Sequence, residues 1–309
     1  MGENLREQLS TKTTYQTESG LSTESGPLTV KNILEESDTL SLAEIIEKQY
    51  NLKMFIQPIT NINREIVKQE WLLRSENELN PEIIVENIRN NEDSHALVCY
   101  LLKQGYETFR LNNTPCSINL EISDMMHPNF LNAVNIYSNQ YKDISDKNVT
   151  FEILEREVLP VDTDERKEFF QICKKLRSKW FKIALDDIWA RDNNGKLLYS
   201  NRDRIDEFIK EGALDIVKLD MEVVRELYLA GGENVVSFIW EYLKTLKNIA
   251  IVAEWIEWEF WRTVDWAREK YADNIDVDDF MKFLEDKLWV THFQWYALWK
   301  PHQPKSLSL

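Results

Sequence analysis

Residues 53–74 read KMFIQPITNINREIVKQEWLLR. Two β-rich runs, Lys53 to Pro58 and Ile66 to Arg74, flank Ile59 to Glu65, a link too short to hold a crossover helix. The two runs are therefore expected to pair as an antiparallel hairpin. Every later β-rich run stands apart from its predecessor by a longer, often helix-like stretch. These runs are Cys116 to Leu120, Val149 to Ile153, Lys182 to Asp187, Leu214 to Leu219, Ile249 to Ala253 and Val290 to Gln294. Ser94 to Arg110, Asp164 to Ser178, Val235 to Lys247 and Val277 to Lys287 carry apolar residues at i, i+3 and i+4, the period of a helix with one buried face. A hairpin followed by alternating helices and strands predicts an α/β fold, a TIM-like (β/α)8 barrel with one antiparallel strand.

Residues 1–40 are rich in Ser, Thr, Glu and Gln and hold no sustained apolar period. Such a segment cannot bury enough surface to offset its ordering entropy, so a disordered tail is expected, followed by a barrel domain over 41–309. The chain has 37 Lys and Arg against 53 Asp and Glu, a formal charge of −16. That field repels a phosphate backbone and disfavours nucleic-acid polymers as partners. Cys99, Cys116 and Cys173 are widely spaced and form no metal or disulfide framework. No apolar run is long enough to span a membrane, and a cytoplasmic location is expected.

In barrels the chemistry sits at the carboxyl ends of the strands. Read in order, those ends carry Glu70, Asn119, Glu152, Asp186 with Asp187, Lys218 with Asp220, Glu254, and Gln294. Each interrupts an apolar run, and buried carboxylates are rare without a partner. Carboxylates and an amide oxygen converging on one face make a hard, oxygen-only ligand set, which favours Mg²⁺ or Mn²⁺ over zinc. A two-metal site of this type activates a water and neutralises a phosphoryl group during in-line attack. Taken singly, each residue has a bland reading as well: Asp187 can cap a helix and Glu257 can favour a helix N-terminus. His95, His127, His292 and His302 show no metal-ligand spacing, and Asp192 to Gly195 reads as a turn.

These residues also carry a resemblance. Phe55-Ile-Gln-Pro-Ile59 with Glu70-Trp-Leu-Leu-Arg74, Ile118-Asn119-Leu120, Glu152-Ile-Leu-Glu155, Ala184-Leu-Asp-Asp-Ile188, Val217-Lys218-Leu-Asp220, Ala253-Glu254-Trp-Ile-Glu257 and Phe293-Gln294-Trp-Tyr296 stand in the order of the motifs of the EAL family of cyclic-di-GMP phosphodiesterases, which the chain resembles over about residues 48–304. The resemblance implies a bacterial signalling enzyme that hydrolyses cyclic-di-GMP to linear pGpG with Mg²⁺ or Mn²⁺. It implies metal ligation by Glu70, Asn119, Glu152, Asp186 and Glu254, with Asp187 serving a second metal. Lys218 would orient or polarise the attacking water, and Arg74 and Gln294 would contact substrate or the metal-site network. Glu155 and Glu257 would position the loop after the fifth strand, and a homodimer is the assembly the resemblance allows. The alternative is a barrel that binds cyclic-di-GMP without cutting it. The loop that begins at Asp187 departs from the family pattern, and Lys218 follows it at a longer interval than is usual.

Composition holds one anomaly: 8 glycines but 11 tryptophans in 309 residues, where glycine usually makes up about 7%. Trp255, Trp295, Trp299 and Trp189 stand where the family has glycine or a small residue, Trp180 stands in a helix-to-strand turn, and Trp71 replaces a small residue. One reading is that the gene uses UGA for glycine and the translation shows it as tryptophan. The other is a divergent barrel that acquired aromatic residues by drift.

Overall fold

The computed structural model describes residues 36–75, 81–90, 93–154, 159–188, 201–220, 223–224, 239, 241–254, 277–288 and 290–294, all within one compact unit, Ile33–Leu309. The expected tail up to residue 35 lies outside them, as do Glu155, Glu257, residues 235–238 and 240 of the Val235 to Lys247 stretch, and Trp189, Trp255, Trp295 and Trp299. The first helix, α1 (Glu36–Tyr50), spans the expected boundary between tail and barrel. Thr39, Ala43 and Ile46 recur on its face at i, i+4 and i+7 and are fully buried.

Eight strands follow in sequence order and close into a barrel. β1 (Leu52–Thr60) and β2 (Ile66–Ser75) pair antiparallel with Gln57 opposite Glu70. Their turn is fixed by Asn61, whose Oδ1 accepts from the Asn63 and Glu65 amides at 3.0 Å while Arg64 takes a left-handed φ of 62°. β2 then runs parallel to β3 (Cys116–Leu120), followed by β4 (Val149–Ile153), β5 (Lys182–Ile188), β6 (Ile216–Leu219), β7 (Ala250–Ala253) and β8 (His292–Gln294). β8 closes antiparallel on β1, with Gln294 opposite Ile59, so β1 is the one reversed strand.

Among the described residues the outer layer includes α2 (Pro81–Asn90), α3 (Ser94–Asn112), the short α4 (Ile122–Met126), α5 (Phe130–Gln140), α6 (Thr163–Ser178), α7 (Asn201–Lys210) and α8 (Val277–Leu288). α3 packs close to β3: a Cβ at Gly105 would meet Ile118 Cδ1 at 3.0 Å. α6 begins at Asp162, whose side chain accepts from the Asp164 and Glu165 amides, with acidic residues in its first turn and basic ones in its last. No described helix is long and apolar enough to cross a membrane.

α6 and α7 end in the same hydrogen-bonded motif. After α7, the Gly212 amide donates to Ile209 O, the Ala213 amide donates to Phe208 O, and Gly212 has φ 63°. After α6, the Trp180 amide donates to Arg177 O, the Phe181 amide donates to Leu176 O, and Trp180 has φ 77°. This cap requires a left-handed residue at its turning point, the place glycine fills at no steric cost. The other described left-handed residues that link a helix to the next strand are Asn51, Asn113 and Asn248, a residue type that tolerates the conformation. Trp180 is the exception, and its side chain lies 76% exposed.

Candidate metal centre

Side chains on a strand alternate between faces, so inward positions recur every second residue. Ile59, Ala184, Ile216 and Val252 form a small buried apolar cluster inside the barrel. Two residues further along their strands, Ala184, Ile216 and Val252 give way to Asp186, Lys218 and Glu254. The adjacent register pairs Asn119 with Glu152, and Glu70 enters from β2. A polar layer therefore sits on an apolar floor, where charges interact strongly because water is excluded.

Lys218 is at the centre of that layer. Its Nζ lies 2.6 Å from Asp186 Oδ1, 2.6 Å from Glu254 Oε1, 3.0 Å from Glu152 Oε2 and 3.1 Å from Glu70 Oε2. All five side chains are buried. Glu70 is held further by Asn119, whose Nδ2 donates to Oε1 at 2.7 Å, and by Gln294, whose Nε2 donates to Oε2 at 2.6 Å.

Burial opposes the charge on Lys218, but Asp186, Glu152, Glu254 and Glu70 outweigh it and hold the ammonium well above the ordinary lysine range. Burial pushes the Asp186 carboxyl well above the carboxylate range despite Lys218, and Asp187 and Glu152 add to the push. Glu254 is raised in the same way by burial, with Asp187 and Asp186 contributing. Glu152 moves oppositely: burial resists its ionisation, but Lys218 and Lys68 hold it below the ordinary value. One ammonium thus leaves two carboxyls in the cluster under-compensated.

A divalent cation fits that deficit. Ligand oxygens of Glu70, Glu152 and Asp186 lie within 4.8 Å of one another, and so do those of Asp186, Asp187 and Glu254, so Asp186 belongs to two adjoining groups. Among the described residues, Asn119 Oδ1 and Gln294 Oε1 are buried without a hydrogen-bond partner. A buried acceptor left unpaired costs about 1–3 kcal/mol, and both amide oxygens are hard donors suited to Mg²⁺ or Mn²⁺.

The strand ends thus bring Glu70, Asn119, Glu152, Asp186, Asp187, Lys218, Glu254 and Gln294 together. Gln294 joins the carboxylate cluster through Glu70. Arg74 lies further along β2, half-buried, with Nη1 donating to Leu73 O at 2.7 Å, and lines a cavity shared with Asn119 and Leu154. Among the described residues no histidine joins either carboxylate group, and His95 stacks on His127 with ring centroids 4.5 Å apart. The sequence reading missed Lys68, a buried lysine whose Nζ lies 3.5 Å from Glu152 Oε1. Its signal is positional: it stands two residues before Glu70 and so shares the inward face.

The EAL domain family model matches residues 39–259, well over half of the chain. Among solved structures, the chain is similar to a PaMucR phosphodiesterase in complex with c-di-GMP, at 18% identity and a TM-score of 0.61, covering 86% of this chain and 98% of that one. It is similar to a standalone EAL protein from Vibrio cholerae O395 in its c-di-GMP-bound form, at 20% identity, TM-score 0.57 and coverage of 83% and 94%. Klebsiella pneumoniae BlrP1 in a manganese and cy-diGMP complex matches at 17% identity and TM-score 0.58, covering 81% of this chain and 56% of that one. Likeness at these identities shows the shared fold. No curated protein matches the chain.

Proposed function

The chain belongs to the EAL domain family, and from that premise we propose that it is a metal-dependent phosphodiesterase that opens cyclic-di-GMP to linear pGpG. The observation that carries this reading is the double carboxylate group sharing Asp186, with two unpaired amide oxygens beside it. The similar structures bound to c-di-GMP support the substrate, and the manganese-containing complex supports the cofactor class.

In this mechanism Glu70, Asn119, Glu152, Asp186 and Glu254 would hold one cation, and Asp187 would hold a second with Asp186 and Glu254. When bound, Mg²⁺ or Mn²⁺ supplies charge neutralisation at the phosphodiester and lowers the pKa of a water. The chain's own residues do the rest. Gln294 and Asn119 fix the Glu70 carboxylate through both of its oxygens. Lys218, the cation surrounded by the acidic ligands, would turn one of its three N–H donors to the attacking water once a divalent cation shares those carboxylates, and balance the growing negative charge. Arg74 stands beyond Glu70 on the same strand and binds a substrate phosphate or base edge. Water oxygen bonds to phosphorus as the bond to the 3′ oxygen breaks, the water gives up one proton and the 3′ oxygen takes one up, and the ring opens to a 5′-phosphorylated linear dinucleotide.

The test is incubation of the full chain with cyclic-di-GMP and Mn²⁺ or Mg²⁺, with products separated by chromatography. Linear pGpG appearing only with metal is the expected result. Tight binding of cyclic-di-GMP without turnover would replace the enzyme by a receptor.

A further inference from the structure

Lys68 is a second cation inside the barrel, and the strand-end motifs do not include it. It lies on β2 opposite Ile59, one inward layer beneath Glu70, and its side chain is 10% exposed. Its Nζ lies 3.5 Å from Glu152 Oε1, while Lys218 Nζ lies 3.0 Å from Glu152 Oε2. The fully buried Glu152 carboxylate thus meets a different ammonium at each of its oxygens. Burying a lysine is costly unless it is paired, and Glu152 is the partner that offsets part of this cost, burial and Lys218 opposing it.

We propose that Lys68 is a positioning residue for the cation site: by occupying Glu152 Oε1 it turns Oε2 toward Glu70 and Asp186 and keeps Glu152 a single-oxygen ligand. The role toward the cation rests on the metal-dependent reading above. Partners behind a metal ligand fix its orientation, and their removal typically costs about 10–100-fold in metal affinity.

Two measurements test it. Mn²⁺ is titrated into the full chain and the free ion is read by electron paramagnetic resonance. Lys68→Met should weaken binding about tenfold or more, and Lys68→Arg, which keeps the charge, should recover most of that loss. Separately, melting is followed in chelator. Lys68→Met should lower the Tm of the parent chain but leave it unchanged or raise it when Glu152→Gln is already present, because Lys68 then has no carboxylate to hold. Unaltered Mn²⁺ affinity in Lys68→Met would overturn the positioning role. Equal Tm shifts in the two backgrounds would overturn the Lys68 and Glu152 pairing itself. A parent chain that binds no Mn²⁺, yet shows the chelator-phase coupling, would overturn both the metal reading and the role of Lys68 toward the ion, leaving the pair as structural.

Discussion

Asp187 brings its carboxylate into the same group as that of Asp186, although neighbouring residues on a regular strand point to opposite faces. The cause is local. Between β5 and β6 the register passes from Leu185 opposite Val217 to Ile188 opposite Leu219, one extra residue on β5, and Asp187 takes a left-handed φ of 43°. A bulge of this kind re-aims a side chain at a barrel rim. It lets β5 supply two carboxylates to the group completed by Glu254.

Removing one of those carboxylates separates function from fold. Asp186→Asn should lower hydrolysis by about 10³-fold or more, since a ligand shared by both groups acts as part of a unit. Its metal-free Tm should match or exceed the parent's, because a crowded buried charge is gone. Turnover near the parent level would remove the metal reading.

Stability should also respond to pH in opposite ways with and without metal. In the metal-free fold, Asp186 and Glu254 sit above their unfolded pKa values, so the folded state binds more protons in the window above the usual carboxylate range. Their contribution is greatest below about pH 4 and is lost as pH rises through the raised values. Glu152 is shifted downward and contributes its gain above the ordinary glutamate value, whereas Lys218 is shifted upward and loses its gain only in strong alkali. Burial holds His95, His127, His292 and Lys68 below their ordinary values, so these groups add stability as pH rises and the raised carboxyls are read by difference. In chelator, the Tm of the parent minus that of Asp186→Asn should fall from about pH 5 to 8, the Tm gained from saturating Mn²⁺ should grow, and calorimetry in two buffers should show proton release on Mn²⁺ binding. A difference that climbs steadily over the window would contradict the shifts.

Lys218→Met should strike turnover harder than affinity. A group that orients the attacking water acts mainly in the transition state, so kcat should drop by about 10²-fold or more while KM changes little. The same variant should melt lower than the parent in chelator, since four buried carboxylates lose their shared cation, and Mn²⁺ should restore much of that loss. A rise in KM with unchanged kcat would assign Lys218 to substrate capture.

Trp180→Gly should stabilise the chain. A non-glycine residue at φ 77° in this cap carries about 1 kcal/mol of strain, and the exposed indole has little burial to lose. A gain of about 2–4 °C in Tm is expected for a domain of this size. A lower Tm would mean that the tryptophan makes compensating contacts. The codon at position 180 bears on the origin of the residue: UGA there fits the glycine reading, and UGG excludes it for this site.

The sequence alone determined the architecture because its signals are local. ITNINRE is too short for a crossover, so β1 must reverse, and the remaining runs are spaced for parallel strands; all eight formed where the pattern placed them. The inward residues at the strand ends were legible for the same reason, since period two and barrel geometry together put Glu70, Glu152, Lys218 and Glu254 on one face. Tertiary structure alone decided how those groups meet. Lys218 lies 148 residues from Glu70, and Gln294 lies 224 residues from it, yet both touch the same carboxylate. The bulge at Asp187, the grip of Lys68 on Glu152 and the unpaired oxygens of Asn119 and Gln294 likewise depend on strand register and closure. Periodicity assigns a side chain to a face, but only the closed barrel fixes its distance to residues from other strands, and distance in a dry interior sets both charge state and affinity for a cation.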